Sequence, residues 1–336
     1  MTQLTSDATA GPSDQAKPAG STRAGFAAWA ALLAVWIVWG STYLAIRVAD
    51  RSIPPFAMAG ARYLAAGAVL YPLAWIASRR RQAAAPRPSG DRAPSRLAQW
   101  GGMAVVGTLL LAFGNGGVSY AEQTLPSGLA ALLVASVPLW MALADRVING
   151  QRIPPHGWIA LMLGLAGIAV VARPSGGGGV LPVLVVLGAS VSWGIGSVLA
   201  GRLPSPASPL VGSAMEMLTG GIVLAALAGA TGELTRIDPA RVTTQSVLGL
   251  LYLIGPGSLL ALTCYVIALR RLPTAVVSTY AYVNPVVAVA LGALLLGERP
   301  TLASLLGGVV VVVSVGMLLV HRSGSRPAGP GSQPGE

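Results

Sequence analysis

Ten stretches of about twenty mostly apolar residues follow one another through this chain, and that feature leaves few folds open. A bilayer core about 30 Å thick is crossed by roughly 20 residues of α-helix, because inside it every backbone N–H and C=O must be bonded within its own segment or its partner strand. The stretches lie near residues 25–46, 56–77, 98–119, 126–144, 156–172, 179–199, 208–229, 245–269, 273–296 and 301–320, with prolines such as Pro54, Pro126, Pro154, Pro204, Pro273 and Pro300 in the links. A content of 54% hydrophobic and 10% charged residues agrees, since soluble domains carry roughly 25% charge. The expected fold is therefore an all-α integral membrane protein of ten transmembrane helices. The first run is too long for a signal-peptide core and is expected to be retained. Residues 1–24 and 322–336, rich in small and polar residues and proline, read as disordered tails.

Basic residues set the expected orientation. With the N-terminus inside, fifteen Lys and Arg residues fall in cytoplasmic segments, among them Arg79, Arg80, Arg81, Arg270 and Arg271, and six fall outside: Arg47, Arg51, Arg173, Arg236, Arg241 and Arg299. Cationic side chains are retained on the cytoplasmic face, so both termini are expected there, in a bacterial inner membrane. One basic residue, Arg62 in "MAGARYLAAG", belongs to neither side.

The chain also repeats itself. At an offset of 154 residues Trp39-Gly40 meets Trp193-Gly194, Pro55 meets Pro209, Gly67 meets Gly221 and Arg62 meets Glu216; at 147, Pro126 meets Pro273, Pro138 meets Pro285 and Arg152 meets Arg299. The halves are 25–172 (spans one to five) and 173–321 (spans six to ten). Five is odd, so the second half must enter the membrane from the opposite side, which gives two inverted repeats with a substrate site where they meet. Small residues such as Gly164, Gly167 and Gly307 are better explained by close helix packing.

The stretches "VWGSTYLAIR", "AGARYLAAG", "GNGGVSYAEQTLPSGLAALLVASVPL", "SWGIGSVLAGR" and "YAYVNPVVAVALGALLLGE" resemble the EamA-type branch of the drug/metabolite transporter superfamily over nearly all of residues 25–320. The resemblance implies two EamA-like repeats, a cavity lined by spans one to four and six to nine, and export of amino acids, other metabolites or drug-like compounds.

A charge facing lipid at mid-span costs about 2.5–3.5 kcal/mol on insertion scales, so an intramembrane charge normally faces a cavity or a partner. Only Arg62 and Glu216 lie clearly within spans. At 1.5 Å per residue their depths differ by roughly 10 Å, which makes direct pairing dependent on extended side chains or a bridging water. Arg62 suits a substrate carboxylate. Glu216 suits an ammonium group, and as the one acid well inside a span it is the candidate for proton coupling. The neutral substrate-binding candidates are Trp39 and Trp193 as aromatic walls, and Asn115 and Asn284 as amides within spans. Tyr280 and Tyr282 stand two apart and cannot share a helix face, and Tyr282 completes the candidate set. Glu122, at the end of the third span, reads as a solvated acid.

No Ser-His-acid set, paired acids or P-loop occurs, and "GGGG" at 176–179 lacks the strand and Lys-Ser/Thr that phosphate cradling requires. Neither an enzyme nor an ATP-driven pump is expected, and no metal or cofactor. The arginines show no aromatic interleaving, which argues against nucleic acid. The expected partners are a small-molecule substrate, the bilayer and protons as coupling ion, with a homodimer left open. Secondary export by alternating access is the reading taken; the alternative is a non-transporting scaffold or sensor on the same fold.

The basic asymmetry yields a topology prediction. Cys264 is the only cysteine, so Cys264→Ser supplies a cysteine-free background. In intact cells a cysteine replacing Ser89 is expected to be shielded from an impermeant thiol reagent and one replacing Thr231 to be labelled; the reverse pattern overturns the orientation.

Overall fold

A computed structural model describes residues 20–84, 94–171 and 179–322. The expected boundary between the halves, at 172 and 173, and most of both tails lie outside these residues. The described residues are helical and contain no strand. Seven helices are long and apolar enough to cross a membrane: α1 (Gly25–Ala49), α2 (Pro55–Arg81), α3 (Arg96–Glu122), α4 (Ser127–Asn149), α6 (Val180–Ala200), α7 (Pro209–Ala230) and α8 (Thr244–Arg271). Three more are apolar but shorter: α5 (Pro155–Val171), α9 (Tyr280–Leu296) and α10 (Leu302–Met317).

The helix carrying α1 begins at Gly20, inside the stretch expected to be tail. Nothing from 20 to 24 stops a helix, and the nearest upstream breaker is Pro18. Two spans expected to be continuous are broken. In α4 the first helix ends at Val134 and a second starts at Val137 with Pro138 in its first turn. The missing proline N–H cannot continue the ladder, and the Ser136 hydroxyl turns back to donate to the Leu133 carbonyl at 2.6 Å. Before α9 a four-residue helix, Thr274–Val277, is separated from Tyr280. There the Thr279 hydroxyl donates to the Val276 carbonyl at 2.6 Å.

Two spans also change helix type midway. Thr108–Asn115 in α3 and Gly255–Leu260 in α8 are π-helical. Their first residues are 147 apart, the offset at which the later prolines of the two halves align. In α8 the segment contains Pro256, whose missing N–H removes one bond of the α-helical ladder. Such segments are rare and frequently mark functional positions.

Helix contacts follow one rule. Neighbours α1 and α9 have counterparts in α6 and α4, and α1 with α8 recurs as α6 with α3. The pair α3 and α7 recurs as α8 and α2, while α2 with α7, α4 with α9 and α5 with α10 each pair an element with its own counterpart. Glycines set these approaches. A Cβ on Gly221 would stand 3.0 Å from the Leu64 backbone nitrogen, and one on Gly60 3.2 Å from that of Ala225, so α2 and α7 meet backbone to backbone. Gly167 and Gly307 place α5 against α10 in the same way, each 2.9 Å from the other's carbonyl oxygen once a Cβ is added. Outward-facing Leu181, Leu294 and Val309 give the bundle an apolar skin.

Gly40 and Gly194 provide a stability test. A Cβ on Gly194 would lie 2.9 Å from the Met141 nitrogen, and one on Gly40 2.6 Å from the Val287 Cβ. Gly194→Ala, blocked by backbone, is expected to cost about 1–3 kcal/mol and lower the thermal midpoint in detergent. Gly188→Ala, with nothing within 4 Å, is expected to leave it unchanged; equal midpoints for the two variants would refute the close-packing account.

Candidate functional site

Arg62 is 6% exposed on α2 and is held from one side. Its Nε donates to the Ser258 hydroxyl at 3.0 Å, and Ser258 passes the chain on to the Leu253 carbonyl at 2.9 Å. Ser258 lies in the π-helical segment of α8, and Gly257 beside it adjoins both the guanidinium and Thr42: a Cβ there would touch Nη2 at an ordinary 3.6 Å and press on the Thr42 methyl at 3.2 Å. The guanidinium carbon also stands 4.8 Å from the centre of the Tyr63 ring. One donor is thus satisfied by protein, and among the described residues no hydrogen bond or ion pair engages the terminal nitrogens.

Glu216, the counterpart of Arg62, is half-buried on α7. Its helix packs against the π-helical segment of α3, as α2 packs against that of α8. Thr219 hydroxyl contacts fasten this stretch to α3, donating to the Met103 carbonyl at 3.2 Å. Among the described residues the Glu216 carboxylate has no hydrogen-bond partner, and it forms no ion pair with Arg62.

Trp39 sits at the centre of an aromatic group that the candidate set only partly contains. Its ring centroid is 5.2 Å from that of Tyr265 on α8 and 5.1 Å from that of Tyr280 on α9, and the two tyrosines are 5.9 Å apart, edge to face. Trp193 on α6 lies against α3 at Gly114, where a Cβ would be 3.0 Å from the indole ring. Asn115 closes the π-helical segment of α3, half-buried, its amide without a partner among the described residues. The Asn284 amide is spent on the fold: oriented to satisfy its surroundings, its NH2 donates to the Tyr280 carbonyl at 3.1 Å and the Trp36 carbonyl at 3.2 Å, joining α9 to α1. Tyr282 turns towards α10 at Gly316, and its hydroxyl is buried with no hydrogen-bond partner among the described residues. Tyr280 is therefore the tyrosine that shares the Trp39 cluster. Period alone shows that only one of the pair can face inward; which one depends on the break before α9.

Glu122 corrects an expectation. It is 0% exposed and both carboxylate oxygens lack partners, whereas its place at a span end suggested solvation. The links between α1 and α2 and between α7 and α8 meet beside that end, where Asp50, Tyr120, Gln123 and Glu233 line one cavity. Residues that sequence reasoning missed altogether are Ser258, Tyr265 and Thr42. Thr42 packs its methyl near Gly257 and donates its hydroxyl to the Trp39 carbonyl at 2.6 Å.

An all-helical apolar bundle with seven helices long enough to cross a membrane, enclosing an arginine, a half-buried acid and an aromatic cluster, is that of a polytopic membrane protein. The chain belongs to the EamA-like transporter family, whose pattern matches twice, over residues 26–173 and 180–320. It is 38% identical over 289 residues to the uncharacterized inner membrane transporter YedA of Escherichia coli, covering 85% of this chain and 88% of that one. It is 24% identical over 296 residues to a protein of the same organism named "Probable amino-acid metabolite efflux pump", covering 84% and 91%. A solved crystal structure, 20% identical, shares the fold with a TM-score of 0.55 over 89% of this chain and 98% of its own.

The hydrogen bond at Nε is itself testable. Ser258→Ala removes the acceptor and leaves a buried donor unmet, at a cost of about 1–3 kcal/mol. Arg62→Gln in the Ser258→Ala background is expected to recover most of that loss in thermal unfolding; additive losses would mean that the two side chains do not act together.

Proposed function

We propose that this chain is a bacterial inner-membrane secondary transporter of ten spans in two inverted five-helix repeats, exporting small zwitterionic metabolites such as amino acids, or amphipathic drug-like compounds, by alternating access. Both termini lie in the cytoplasm. The observation that carries this reading is the recurrence of every major helix contact after a shift of five helices, together with opposite charges at the repeat-related positions Arg62 and Glu216. A cavity between two such repeats can open to either side by rocking one against the other.

In this scheme Arg62, fixed through Nε, presents its terminal nitrogens to a substrate carboxylate. Glu216 receives the ammonium group or, in exchange, a proton. Trp39 and Trp193 wall the site, and Asn115 offers a free amide. Asn284 and Tyr282 remain in the set as supports of α9 rather than as direct ligands. Competition of substrate and proton for Glu216 would couple inward proton flow to export. The relative named as an amino-acid metabolite efflux pump supports this substrate class. A phosphorylated substrate fits less well, since two phosphate charges call for clustered cations and the spans hold Arg62 alone.

Proteoliposome flux with a panel of amino acids and lipophilic cations tests the proposal. Glu216→Gln, folded normally, is expected to lose uphill export driven by a pH gradient while keeping downhill exchange. Arg62→Gln is expected to weaken carboxylate-bearing substrates about ten- to a hundredfold, the loss of one charge-assisted hydrogen bond. Flux no greater than in empty vesicles across the panel would favour the scaffold or sensor reading. Unchanged pH dependence in Glu216→Gln would sink its coupling role.

A further inference from the structure

Four acids gather at the end of the bundle where the links 50–54, 123–126, 231–243 and 297–301 meet, and two of them have partners. Glu298 accepts from the Ser127 N–H at 2.7 Å, the Ser127 hydroxyl at 2.9 Å and the Gly128 N–H at 3.1 Å, capping the start of α4. Glu233 accepts from the Ala57 N–H at 2.9 Å, at the start of α2. Asp50 and Glu122 differ. All four of their carboxylate oxygens are shut off from solvent and, among the described residues, none has a hydrogen-bond partner. Arg47, one helical turn before Asp50, donates to the backbone carbonyl of Glu122, not to either carboxylate.

Charge balance makes this arrangement incomplete. Asp50 lies within electrostatic reach of Arg47 and Glu233, and Glu122 within reach of Asp50, Arg47, Glu298 and the Tyr43 hydroxyl. Glu233 and Glu298 are already met by backbone N–H donors. That leaves two buried carboxylates beside the guanidinium of Arg47, the arginines Arg51 and Arg236 that line the neighbouring cavity being exposed, and an excess of at least one negative charge is costly in a low-dielectric site. One bound proton lowers that excess by one charge.

We propose that Asp50 and Glu122 form a proton-binding site, separate from Glu216, whose protonated state latches this end of the bundle shut and whose deprotonation releases it. The proposal rests on the alternating-access reading above and adds the control of the mouth expected to face outward. The latch joins α1, α3 and the link into α8. Besides the Arg47 contact, the Ser246 hydroxyl donates to the Val48 carbonyl at 3.0 Å and the Thr243 N–H to the Ser52 hydroxyl at 3.0 Å. Losing the proton leaves two buried like charges at the centre of that clasp, and separation of the links into water relieves them. A cavity of about 320 Å³, lined by Asp50, Arg51, Phe56, Tyr120, Glu233 and Arg236 among others, borders the site on its Asp50 side. Burial, with Glu233 adding and Arg47 opposing, holds the Asp50 carboxyl well above its ordinary value of 3.8. Because the folded value is the raised one, the closed latch is fully favoured below the ordinary value and loses that contribution as pH rises through the elevated one.

The test needs no substrate, so its failure and that of the transport reading are separable. In the Cys264→Ser background, Ala121→Cys places a thiol at a fully buried position next to Glu122. Its labelling by an impermeant maleimide in intact cells is measured from about pH 5 to about pH 8, spanning the range of a raised carboxyl. Gln123→Cys at the exposed neighbouring link serves as the reference for thiol ionisation. The normalised rate is expected to rise about tenfold with pH, and both Glu122→Gln and Asp50→Asn, which hold a neutral side chain there, are expected to keep it at the low-pH value. Where one variant fails to reach the membrane, the other decides. A flat profile in the parent overturns the proposal, as does an unaltered profile in either folded variant. Closure by sodium ions at fixed pH, with no response to pH, overturns the proton assignment as well. Loss of the pH response with flux intact would leave the transport reading standing, and a normal response without flux would leave the latch standing.

Discussion

The backbone-to-backbone approach of α2 and α7 is the contact on which the rest of the molecule depends. In lipid, helices gain little by burying apolar side chains against one another, so van der Waals contact must come from close approach, and close approach requires missing side chains. Gly60 and Gly221 supply it at the centre of the bundle, and Gly67 meets Leu218 beside them. Because α2 and α7 are repeat-related, this one contact fixes the two halves on each other and sets the helices that carry Arg62 and Glu216 side by side. Other pairs then fall into place around it: α8 and α3 flank the central pair, while α5 and α10 pack together through Gly167 and Gly307.

The π-helical segments explain how charge is tolerated at that centre. A π-helical turn interrupts the regular ladder and alters which groups a helix face presents. In α8 it brings the Ser258 hydroxyl to Arg62 and places Gly257 beside the guanidinium. Arg62 is therefore buried without an ion pair, held by a hydroxyl and the neighbouring Tyr63 ring. In the proposed scheme this matters: a full salt bridge would neutralise the cation and leave little for a ligand, whereas a single neutral hydrogen bond orients it and keeps its charge available.

Much of this was legible in the sequence, and the physical reason is the bilayer. Span positions follow from apolar length, and the offsets of 154 and 147 expose the duplication because Gly, Pro and Trp are retained where backbone geometry or close packing demands them. Pro138 and Pro285 also mark the helices whose starts are broken, although a continuous apolar run concealed the breaks at 135–136 and 278–279. What stayed hidden depends on three-dimensional placement. Asn284 read as a ligand candidate, yet its amide is consumed between Tyr280 and Trp36. Tyr265 and Ser258 have unremarkable neighbours in the chain and gain meaning only from what α8 faces. Glu122 read as solvated because it ends a span, and a linear sequence does not show which links fold over a span end.

Duplication and function pull on this scaffold in different directions. The two halves keep the same backbone neighbours around positions 62 and 216, including a π-helical segment on the adjoining helix. Had both positions kept the same charge, the centre would carry two like charges in a dry setting, at a cost that a protein of marginal stability cannot absorb. Opposite charges remove the repulsion. In the proposed scheme Arg62 and Glu216, on touching helices and, among the described residues, not joined in an ion pair, form a polar axis across the repeat interface that a molecule with a carboxylate at one end and an ammonium at the other would complete. On the proposed reading, the need that a duplicated membrane scaffold has for charge balance is the same need that selects its substrate.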